Sequence, residues 1–406
     1  MKRVVVTGMG IVSPLGAGVQ EVTAALHEGR SGIVRAESYV EHGFRCQVHG
    51  APQLDASESV DRRAMRFHGG GTAWNHVAMD QAIRDAGLEA SEISHERTGL
   101  IMGSGGPSTH TIVEAADIAR EKGPRRVGPF AVPKAMSSTA SATLATHFKI
   151  KGLNYSISAA CATTNICIGH AAEQIKLGKQ DIVFAGGCEE LDWTLSVLFD
   201  AMGAMSSHYN DTPTKASRPF DKDRDGFVIA GGGGVLVLEE LEHAKARGAR
   251  ILAEIVGYGM TSDGVDMVAP SGEGSVRCIK MAMGEAGGRK IDYINPHATS
   301  TPIGDLSEMN AIRAVFGDDM PPISATKSLS GHAQGAAGVH EAIYSLLMMQ
   351  GSFIAASANI ENLDPAFASH NIVRERQDGV DINTVLSNGF GFGGTNASLV
   401  MSRYNG

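Results

Sequence analysis

The stretch that decides the fold is Ser156-Ile157-Ser158-Ala159-Ala160-Cys161-Ala162-Thr163-Thr164. It places one cysteine among small residues, where a strand gives way to a helix. Helical spacing continues from Ile168 to Ile175, and Gly178 is a helix-stop signal. The free N–H groups and partial positive charge of a helix N-terminus both stabilise a thiolate. The segment therefore predicts Cys161 as a candidate nucleophile, with an inert buried cysteine as the alternative.

Short apolar runs alternate with amphipathic stretches along the rest of the chain. The runs that predict strands are residues 4–6, 100–102, 182–185, 235–238, 251–256, 291–294, 323–325 and 397–401. Residues 73–86 and 168–177 have the spacing of helices. Strands that alternate with helices indicate an α/β layered fold.

The chain also contains a faint internal duplication. Cys161 opens a predicted helix, and His332 precedes another with a single apolar face. Gly226-Phe227 leads into a glycine run and a strand, as Gly391-Phe392-Gly393-Gly394 also does. We therefore expect two similar halves, stacked as a pseudo-symmetric pair.

The polar segment 242–250 is the best boundary between these halves. It predicts an N-terminal half, residues 1–250, that carries the cysteine. The C-terminal half, residues 251–406, carries the candidate histidines.

Composition excludes several classes of protein. The 406 residues have a net charge of −9, so we do not expect the protein to bind nucleic acid through an overall positive charge. No apolar run approaches the roughly 20 residues of a membrane span. The five cysteines form no C-x-x-C pair, which argues for a reducing compartment and against structural zinc or a disulfide scaffold. We expect a cytoplasmic protein.

Three motifs resemble functional patterns but lack a residue that each pattern requires. Residues 8–13 nearly match the dinucleotide-binding pattern, but Ser13 replaces its third glycine. Residues 221–226 begin like a calcium loop, yet Gly232 stands where a glutamate is required, so a salt-bridged turn is the better interpretation. His340-Glu341 lacks the second histidine of a zinc-protease helix, because position 344 is tyrosine.

Three loops add candidate partners for the cysteine. His297 lies in a hydroxyl-rich loop after a predicted strand, and His332 ends the segment 324–332 after another. One cysteine with two histidines at strand ends is typical of a nucleophile with imidazole partners. The glycine-rich loop 388–396 has backbone N–H groups that could stabilise an oxyanion. Taken singly, each feature is more often structural.

These residues, taken together, resemble the β-ketoacyl-[acyl carrier protein] synthases of the thiolase superfamily. The Cys161 turn, the His297-x-Thr299-x-Thr301 loop, Lys327 with Gly331-His332, and residues 391–394 occur in the family's order. Residues 209–213 and 271–274 resemble the type I branch. The resemblance covers essentially the whole chain.

The resemblance implies a five-layer α-β-α-β-α fold, a homodimer, and a decarboxylating Claisen condensation. Cys161 would take the acyl chain from its carrier, and malonyl-carrier protein would then lose CO2 and attack as an enolate. His297 and His332 would donate hydrogen bonds to the malonyl thioester oxygen. That role needs no metal or organic cofactor. Lys327 would set the charge around His332.

The family pattern also implies how the substrate is held. Thr299 and Thr301 would bind the pantetheine arm, and Phe390 and Phe392 would gate the pocket, with the Phe392 N–H in the oxyanion hole. The acidic carrier protein would meet two local basic clusters, which are Arg62, Arg63 and Arg66 on one side and Lys122, Arg125 and Arg126 on the other. A solvated charged face is the alternative for each cluster.

The sequence departs from the family pattern at a few positions and allows competing interpretations. Ala298 stands where the family usually has glycine, with Pro296 before it, and Gly389 stands where serine is common. The competing classes are a polyketide-type synthase, a nucleotide-dependent oxidoreductase built on residues 8–13, and a non-catalytic chain-length factor. The presence of Cys161 argues against the last.

Overall fold

The computed structural model describes residues 1–406. The strands are β1 (Val4–Val12), β2 (Ile33–Arg35), β3 (Val48–Gly50), β4 (Thr98–Gly103), β5 (Asn154–Ile157), β6 (Ile182–Glu189), β7 (Gly232–Glu240), β8 (Ala253–Ser262), β9 (Tyr293–Asn295), β10 (Phe353–Ile354), β11 (Gln377–Asp378), β12 (Thr384–Gly391) and β13 (Thr395–Ser402).

The first eight helices lie before the cysteine. They are α1 (Val19–Glu28), α2 (Glu37–Glu41), α3 (Arg62–Met65), α4 (Gly70–Ala86), α5 (Ala90–Ile93), α6 (Thr109–Lys122), α7 (Ala131–Ala135) and α8 (Thr139–Phe148).

Seven more helices follow it. They are α9 (Thr163–Lys176), α10 (Trp193–Ala201), α11 (Leu241–Ala246), α12 (Glu273–Glu285), α13 (Pro302–Phe316), α14 (Lys327–Ser330) and α15 (Ala337–Gly351).

Nine of the strands form one sheet in the order β5-β4-β6-β7-β1-β8-β13-β12-β9. The seam lies between β1 and β8, which pair at only two positions, Val5 with Glu254 and Val6 with Ala253. Away from the seam, the first half runs through antiparallel β1, β7 and β6 to parallel β4 and β5.

The second half repeats this order. Antiparallel β8, β13 and β12 are followed by parallel β9. Ile323 then bridges Ile294 in the parallel sense, at the place that β5 takes in the first half. The predicted duplication is therefore present in the pairing of the strands.

The helices complete five layers. α9 and α15 pack on each other, and each contacts strands of both halves, so they form the central layer. α4 and α8 cover the outer face of the first half, while α12 and α13 cover that of the second. A core of 43 buried residues surrounds the central helices, and a cluster of 15 lies under each outer layer. The equal size of the outer clusters follows from the duplication.

Most of the predicted elements are confirmed, and most are longer than the apolar runs, although β9 is shorter than the predicted residues 291–294. The exception is residues 323–325, which form no regular strand, because Ile323 makes only single bridges, to Ile294 and to Ile372. β5 has no apolar run because it is an edge strand, and all four of its residues are at least partly exposed.

Two rejected motifs have structural roles. β1 continues straight through Gly8 and Gly10, where a Cβ atom at Gly10 would overlap the backbone of α4. These glycines therefore allow a strand and a helix to pack closely, rather than forming a phosphate loop. Asp221 accepts hydrogen bonds from Arg218 Nε and from the backbone N–H groups of Asp223 and Asn362. It thus closes the salt-bridged turn that the sequence predicts.

We propose that the two halves meet between residues 250 and 251. β7 and α11 end the first half, and β8 begins the second after a short exposed link. Separately, none of the helices is both long and apolar enough to cross a lipid bilayer.

Candidate active site

Cys161 lies in a tight turn between β5 and α9. Ala160, just before it, has a φ of 47°, in the left-handed region that a residue with a Cβ rarely adopts. The Ala159 N–H donates to Thr163 Oγ1 over 2.8 Å, and the Thr163 hydroxyl donates to the Ala160 carbonyl. These bonds hold the strained turn, so the Cys161 thiol lies just ahead of the helix N-terminus.

The two predicted histidines meet at this sulfur. His332 Nε2 lies 3.0 Å from Cys161 Sγ. The His297 ring packs edge-on against His332, with ring centroids 5.2 Å apart. The structure therefore brings the side chains of Cys161, His297 and His332 together, as the sequence predicts, with His297 after β9, Cys161 after β5 and His332 after α14.

The backbone around His297 is fixed by one buried carboxylate. Glu308, on α13, accepts from the His297 N–H at 2.8 Å and from the Ala298 N–H at 2.7 Å. Its Oε1 also accepts from Asn388 Nδ2. The bond to Ala298 uses only the backbone, so alanine in place of glycine leaves this anchor intact.

His332 is held through its main chain and by an aromatic neighbour. Its N–H donates to the Val228 carbonyl at 2.7 Å, and its ring packs edge-on against Phe227. Phe227 and Val228, which lie just before the glycine run that leads into β7, thus support the second histidine. The sequence does not reveal this contact.

Burial sets the charge state of the site. It raises the pKa of the Cys161 thiol to about 12, although the Lys327 ammonium acts in the opposite direction. Burial, with the Lys327 charge second, holds the pKa of both His297 and His332 well below the ordinary range. The resting site therefore contains a thiol and two neutral imidazoles. The expectation that the helix N-terminus lowers the thiol pKa is wrong for this state, because desolvation outweighs it.

The hydrogen-bond partners also define the tautomer of each ring. Neither His297 Nδ1 nor His332 Nδ1, both buried, has a hydrogen-bond partner. An unpaired buried N–H is rarer in proteins than an under-satisfied acceptor. The proton of each neutral ring therefore belongs on Nε2, and the Nε2 of His332 lies 3.0 Å from the Cys161 sulfur. Both rings are then hydrogen-bond donors.

Lys327 acts on this site from a distance through its charge. Its ammonium group donates to Glu341 on α15, and both side chains are fully buried. Burial raises the pKa of Glu341 to about 7, against the pull of Lys327. The Lys327 ammonium is therefore engaged by Glu341, and its electrostatic role at the site stays a prediction.

The glycine-rich loop brings backbone donors to the nucleophile. A Cβ atom at Gly391 would lie 3.2 Å from the Cys161 nitrogen, so the two backbones are in contact. Neither the Cys161 N–H nor the Phe392 N–H donates a hydrogen bond within the protein. Free N–H groups beside a nucleophile can hold an oxygen that gains negative charge.

A cleft of about 420 Å³ opens above these groups. Phe390, Phe392, Thr299 and Thr301 all line it, and the two threonine hydroxyls lie 3.1 Å apart. Phe390 packs near His297, while Phe392 is 40% exposed at the cleft. The structure therefore places all the predicted gating and pantetheine residues around one cavity.

The same three side chains form a set that could ligate a metal. The Cys161 sulfur and one nitrogen each of His297 and His332 lie within 4.8 Å of one another. Sulfur and imidazole are ligands that zinc accepts. His332 Nε2 is the nitrogen that lies against the sulfur, so a metal ion bound there would replace the N–H donor described above.

Sequence reasoning missed two polar residues at this site. Gln334 lines the cleft, and its Oε1 lies 3.9 Å from Cys161 Sγ. Glu189, at the end of β6, accepts from the N–H groups of Gly105 and Gly335, which fix the loops on either side of the nucleophile. Neither residue has a sequence signal, because each depends on contacts between distant segments.

The two basic clusters lie outside the cleft. All six cationic side chains are exposed and none forms an ion pair, namely Arg62, Arg63, Arg66, Lys122, Arg125 and Arg126. Phe67 and Phe130 pack edge-on with ring centroids 5.3 Å apart, which joins the two segments that carry the clusters.

Comparisons with known proteins agree with this site. Residues 1–244 match the model for the β-ketoacyl synthase N-terminal domain, and residues 252–361 match that for the C-terminal domain. Two proteins named 3-oxoacyl-[acyl-carrier-protein] synthase 1 are similar along their whole length. The one from Escherichia coli is 59% identical over 99% of both chains, and that from Haemophilus influenzae is 56% identical over 100% of both.

Solved structures give the same result. A β-ketoacyl synthase from Burkholderia phymatum superimposes with a TM-score of 0.94 at 36% identity, over 100% of both chains. A ketosynthase of a type II polyketide synthase, solved with its acyl-carrier protein, gives 0.90 at 32% identity over the same coverage. The fold and the comparisons define a thiolase-like condensing enzyme. The chain belongs to the β-ketoacyl synthase family.

The buried Lys327–Glu341 pair gives a testable prediction. We expect Lys327→Met to reduce the free energy of unfolding by about 3 kcal/mol, because it leaves a buried carboxyl group without its partner. Adding Glu341→Met should recover more than half of that loss, since two apolar groups replace the pair. Urea denaturation of the two single variants and the double variant measures this. Additive losses in the double variant would contradict the proposed coupling.

Proposed function

We propose that this protein is an elongating β-ketoacyl-[acyl-carrier-protein] synthase of fatty acid biosynthesis. The observation that carries the proposal is the meeting of His332 Nε2 with Cys161 Sγ at 3.0 Å, with His297 beside them. The reaction joins an acyl chain to a malonyl unit and gives 3-ketoacyl-carrier protein, CO2 and free carrier protein. The matches to synthase 1 proteins, at 56–59% identity, support it over a polyketide-type synthase, for which the identity is 32%.

The first step is acyl transfer to the enzyme. Cys161 Sγ forms a bond to the thioester carbonyl carbon, and the bond from that carbon to the carrier sulfur breaks. The thiol proton leaves with the carrier sulfur. The Cys161 and Phe392 N–H groups hold the carbonyl oxygen while it carries negative charge.

The second step is decarboxylation of the malonyl unit. The bond between the carboxylate carbon and the α-carbon breaks, and CO2 departs. The electron pair moves into an enolate whose oxygen accepts from the Nε2–H groups of His297 and His332. Neutral imidazoles suit this step, because they can donate without attracting the malonyl carboxylate as a cation would. Lys327 contributes by opposing protonation of both rings.

The third step forms the new carbon–carbon bond. The enolate carbon attacks the acyl thioester on Cys161, and the oxyanion returns to the two backbone N–H groups. The bond to Sγ then breaks, and the sulfur leaves as a thiolate that takes up a proton from solvent, which replaces the one that left with the first carrier sulfur. Thr299 and Thr301 hydrogen-bond the pantetheine arm in the cleft, while Phe390 and Phe392 gate access to the nucleophile.

The acidic carrier protein docks on the two basic clusters. Their six cations are exposed and unpaired, which leaves them available for a partner of opposite charge. The Phe67–Phe130 contact joins them into one surface, although the protein as a whole carries a charge of −9. A local patch of this kind steers association in a salt-dependent way.

A second copy of the chain completes the enzyme as a homodimer. β5 is an edge strand of the sheet, and its unpaired edge can join a second β5. α6 and α7, which connect to it through α8, expose the apolar side chains of Ile112 and Val132. An open edge beside exposed apolar groups favours self-association.

The five free cysteines, among them the nucleophile, support a reducing cytoplasmic setting.

The two catalytic stages can be separated by substitution. Cys161→Ser should abolish condensation, because a serine hydroxyl lacks the nucleophilicity of the thiol. His332→Ala should slow malonyl decarboxylation by about 100-fold while some acyl transfer persists. Carrier-bound products, resolved by mass spectrometry, report both steps.

The matched control for the nucleophile is Cys278→Ser. The Cys278 thiol is a buried hydrogen-bonding group that a hydroxyl can replace, so this variant should elongate normally. Normal turnover in Cys161→Ser would refute the proposed function.

The basic clusters give a further prediction. Replacing Arg62, Arg63 and Arg66 with glutamate should lower kcat/KM for acyl-carrier protein about tenfold at low salt. The deficit should shrink at 0.5 M salt (about 4 Å screening length), because exposed charges are then screened. Arg289→Glu, an exposed site away from the clusters, serves as the control. Equal losses in the triple variant and the control would argue against this docking surface.

A further inference from the structure

One polar side chain at the nucleophile has no role in the steps above. Gln334 follows His332 by two residues and is 6% exposed. Its Oε1 lies 3.9 Å from Cys161 Sγ, and the side chain lines the cleft. Its Nε2, also buried, has no hydrogen-bond partner. A buried carboxamide with an unpaired N–H is costly, so it requires an explanation.

The backbone of Gln334 is constrained in a way that fixes this position. Its φ is 50°, in the left-handed region that side chains with a Cβ disfavour. The next residue, Gly335, donates its N–H to Glu189 at 2.8 Å and packs against Gly105. The surrounding loops therefore hold a strained conformation that aims the carboxamide at the sulfur.

A carboxamide can serve both states of a thiol. Its oxygen accepts from S–H, and its nitrogen donates to S⁻, and a half-turn of the amide exchanges the two. In the resting enzyme His332 Nε2–H points at the sulfur, so the thiol proton needs a different acceptor. Gln334 Oε1 is that acceptor, and its Nε2 remains without a partner until the sulfur is ionised.

We propose that Gln334 is a further catalytic residue, which hydrogen-bonds the Cys161 sulfur in both protonation states and stabilises the thiolate by donating from Nε2. It acts with His332, which donates from the other side. In acyl transfer the sulfur loses its proton and forms the bond to the acyl carbon, while the carrier sulfur leaves with the proton. After condensation the departing Cys161 thiolate regains both donors. These consequences for turnover rest on the proposed function, whereas the thiolate contact itself does not.

Alkylation of Cys161 by iodoacetamide tests this contact without any carrier protein. The reaction forms a bond from sulfur to the acetamide carbon and releases iodide, and its rate follows the thiolate fraction. The other four cysteines are buried, and Cys161→Ser gives the background rate. The alkylation rate can therefore be interpreted even if the condensation assay fails.

The variants are Gln334→Met, which has no hydrogen-bonding group, and Gln334→Glu, which has the shape of glutamine. We expect Gln334→Met to react about tenfold more slowly at every pH from 7 to 9.5, since losing one charge-assisted donor raises the thiol pKa by about one unit. Gln334→Glu should be slower still where its carboxyl is ionised, because it repels the thiolate.

Gln334→Glu gives a second outcome that does not depend on Gln334→Met. The proposal requires the alkylation rate of Gln334→Glu to fall, and a rate within twofold of the unmodified protein would overturn it. Gln334→Glu also carries the test if Gln334→Met fails to fold, as judged by its thermal melting. An unchanged rate in a folded Gln334→Met would overturn the proposal equally.

Discussion

Desolvation at the point where Cys161, His297 and His332 meet is the constraint on which the rest of the site depends. It keeps the sulfur protonated and both imidazoles neutral in the resting enzyme. The negative charge that develops as the reaction proceeds therefore has to be stabilised by groups close to it. In the proposed mechanism, the places where negative charge develops are surrounded by uncharged donors, namely the Cys161 and Phe392 N–H groups, the two Nε2–H groups and the Gln334 carboxamide. Lys327 supplies positive charge without touching the reacting groups, and its ammonium is held by Glu341. A dry site with fixed dipoles needs little reorganisation when the charge appears.

The duplicated fold explains how these donors come together. β5 and the Ile323 bridge take equivalent places in the two halves, and each is followed by a segment that enters a central helix. The first of these segments carries Cys161 and the second carries His332. His297 comes from the loop after β9, next to the Ile323 bridge. Because α9 and α15 pack against each other in the central layer, the active site lies across the two halves and requires both. The exposed cationic clusters lie outside this dry centre, and in the proposed docking they meet the carrier protein without a desolvation penalty.

Much of this arrangement could be predicted from the sequence, for a physical reason. Buried strands and the central helices leave periodic apolar runs, and His297 lies just past one strand that such a run defines. β5 could not be found in this way, because an edge strand with polar residues lacks such a run, and residues 323–325 form only isolated bridges. The raised pKa of Cys161 could not be predicted from the sequence either. The sequence shows the helix N-terminus, but it does not show how deeply the thiol is buried. Gln334 and Glu189 depend on contacts between segments more than 140 residues apart, which no local pattern records.

The central claim is that the free enzyme holds two neutral imidazoles protonated on Nε2. Nitrogen-15 NMR of histidine-labelled protein at pH 7 tests it most directly, because the two ring nitrogens report protonation separately. Spectra of His297→Ala and His332→Ala identify the two rings among the 15 histidines. The account predicts that both lost signals are those of neutral rings with a protonated Nε2 and a bare Nδ1. An imidazolium at either position, or a proton on Nδ1, would contradict it, because the ring would then be charged or would direct its donor away from the enolate oxygen.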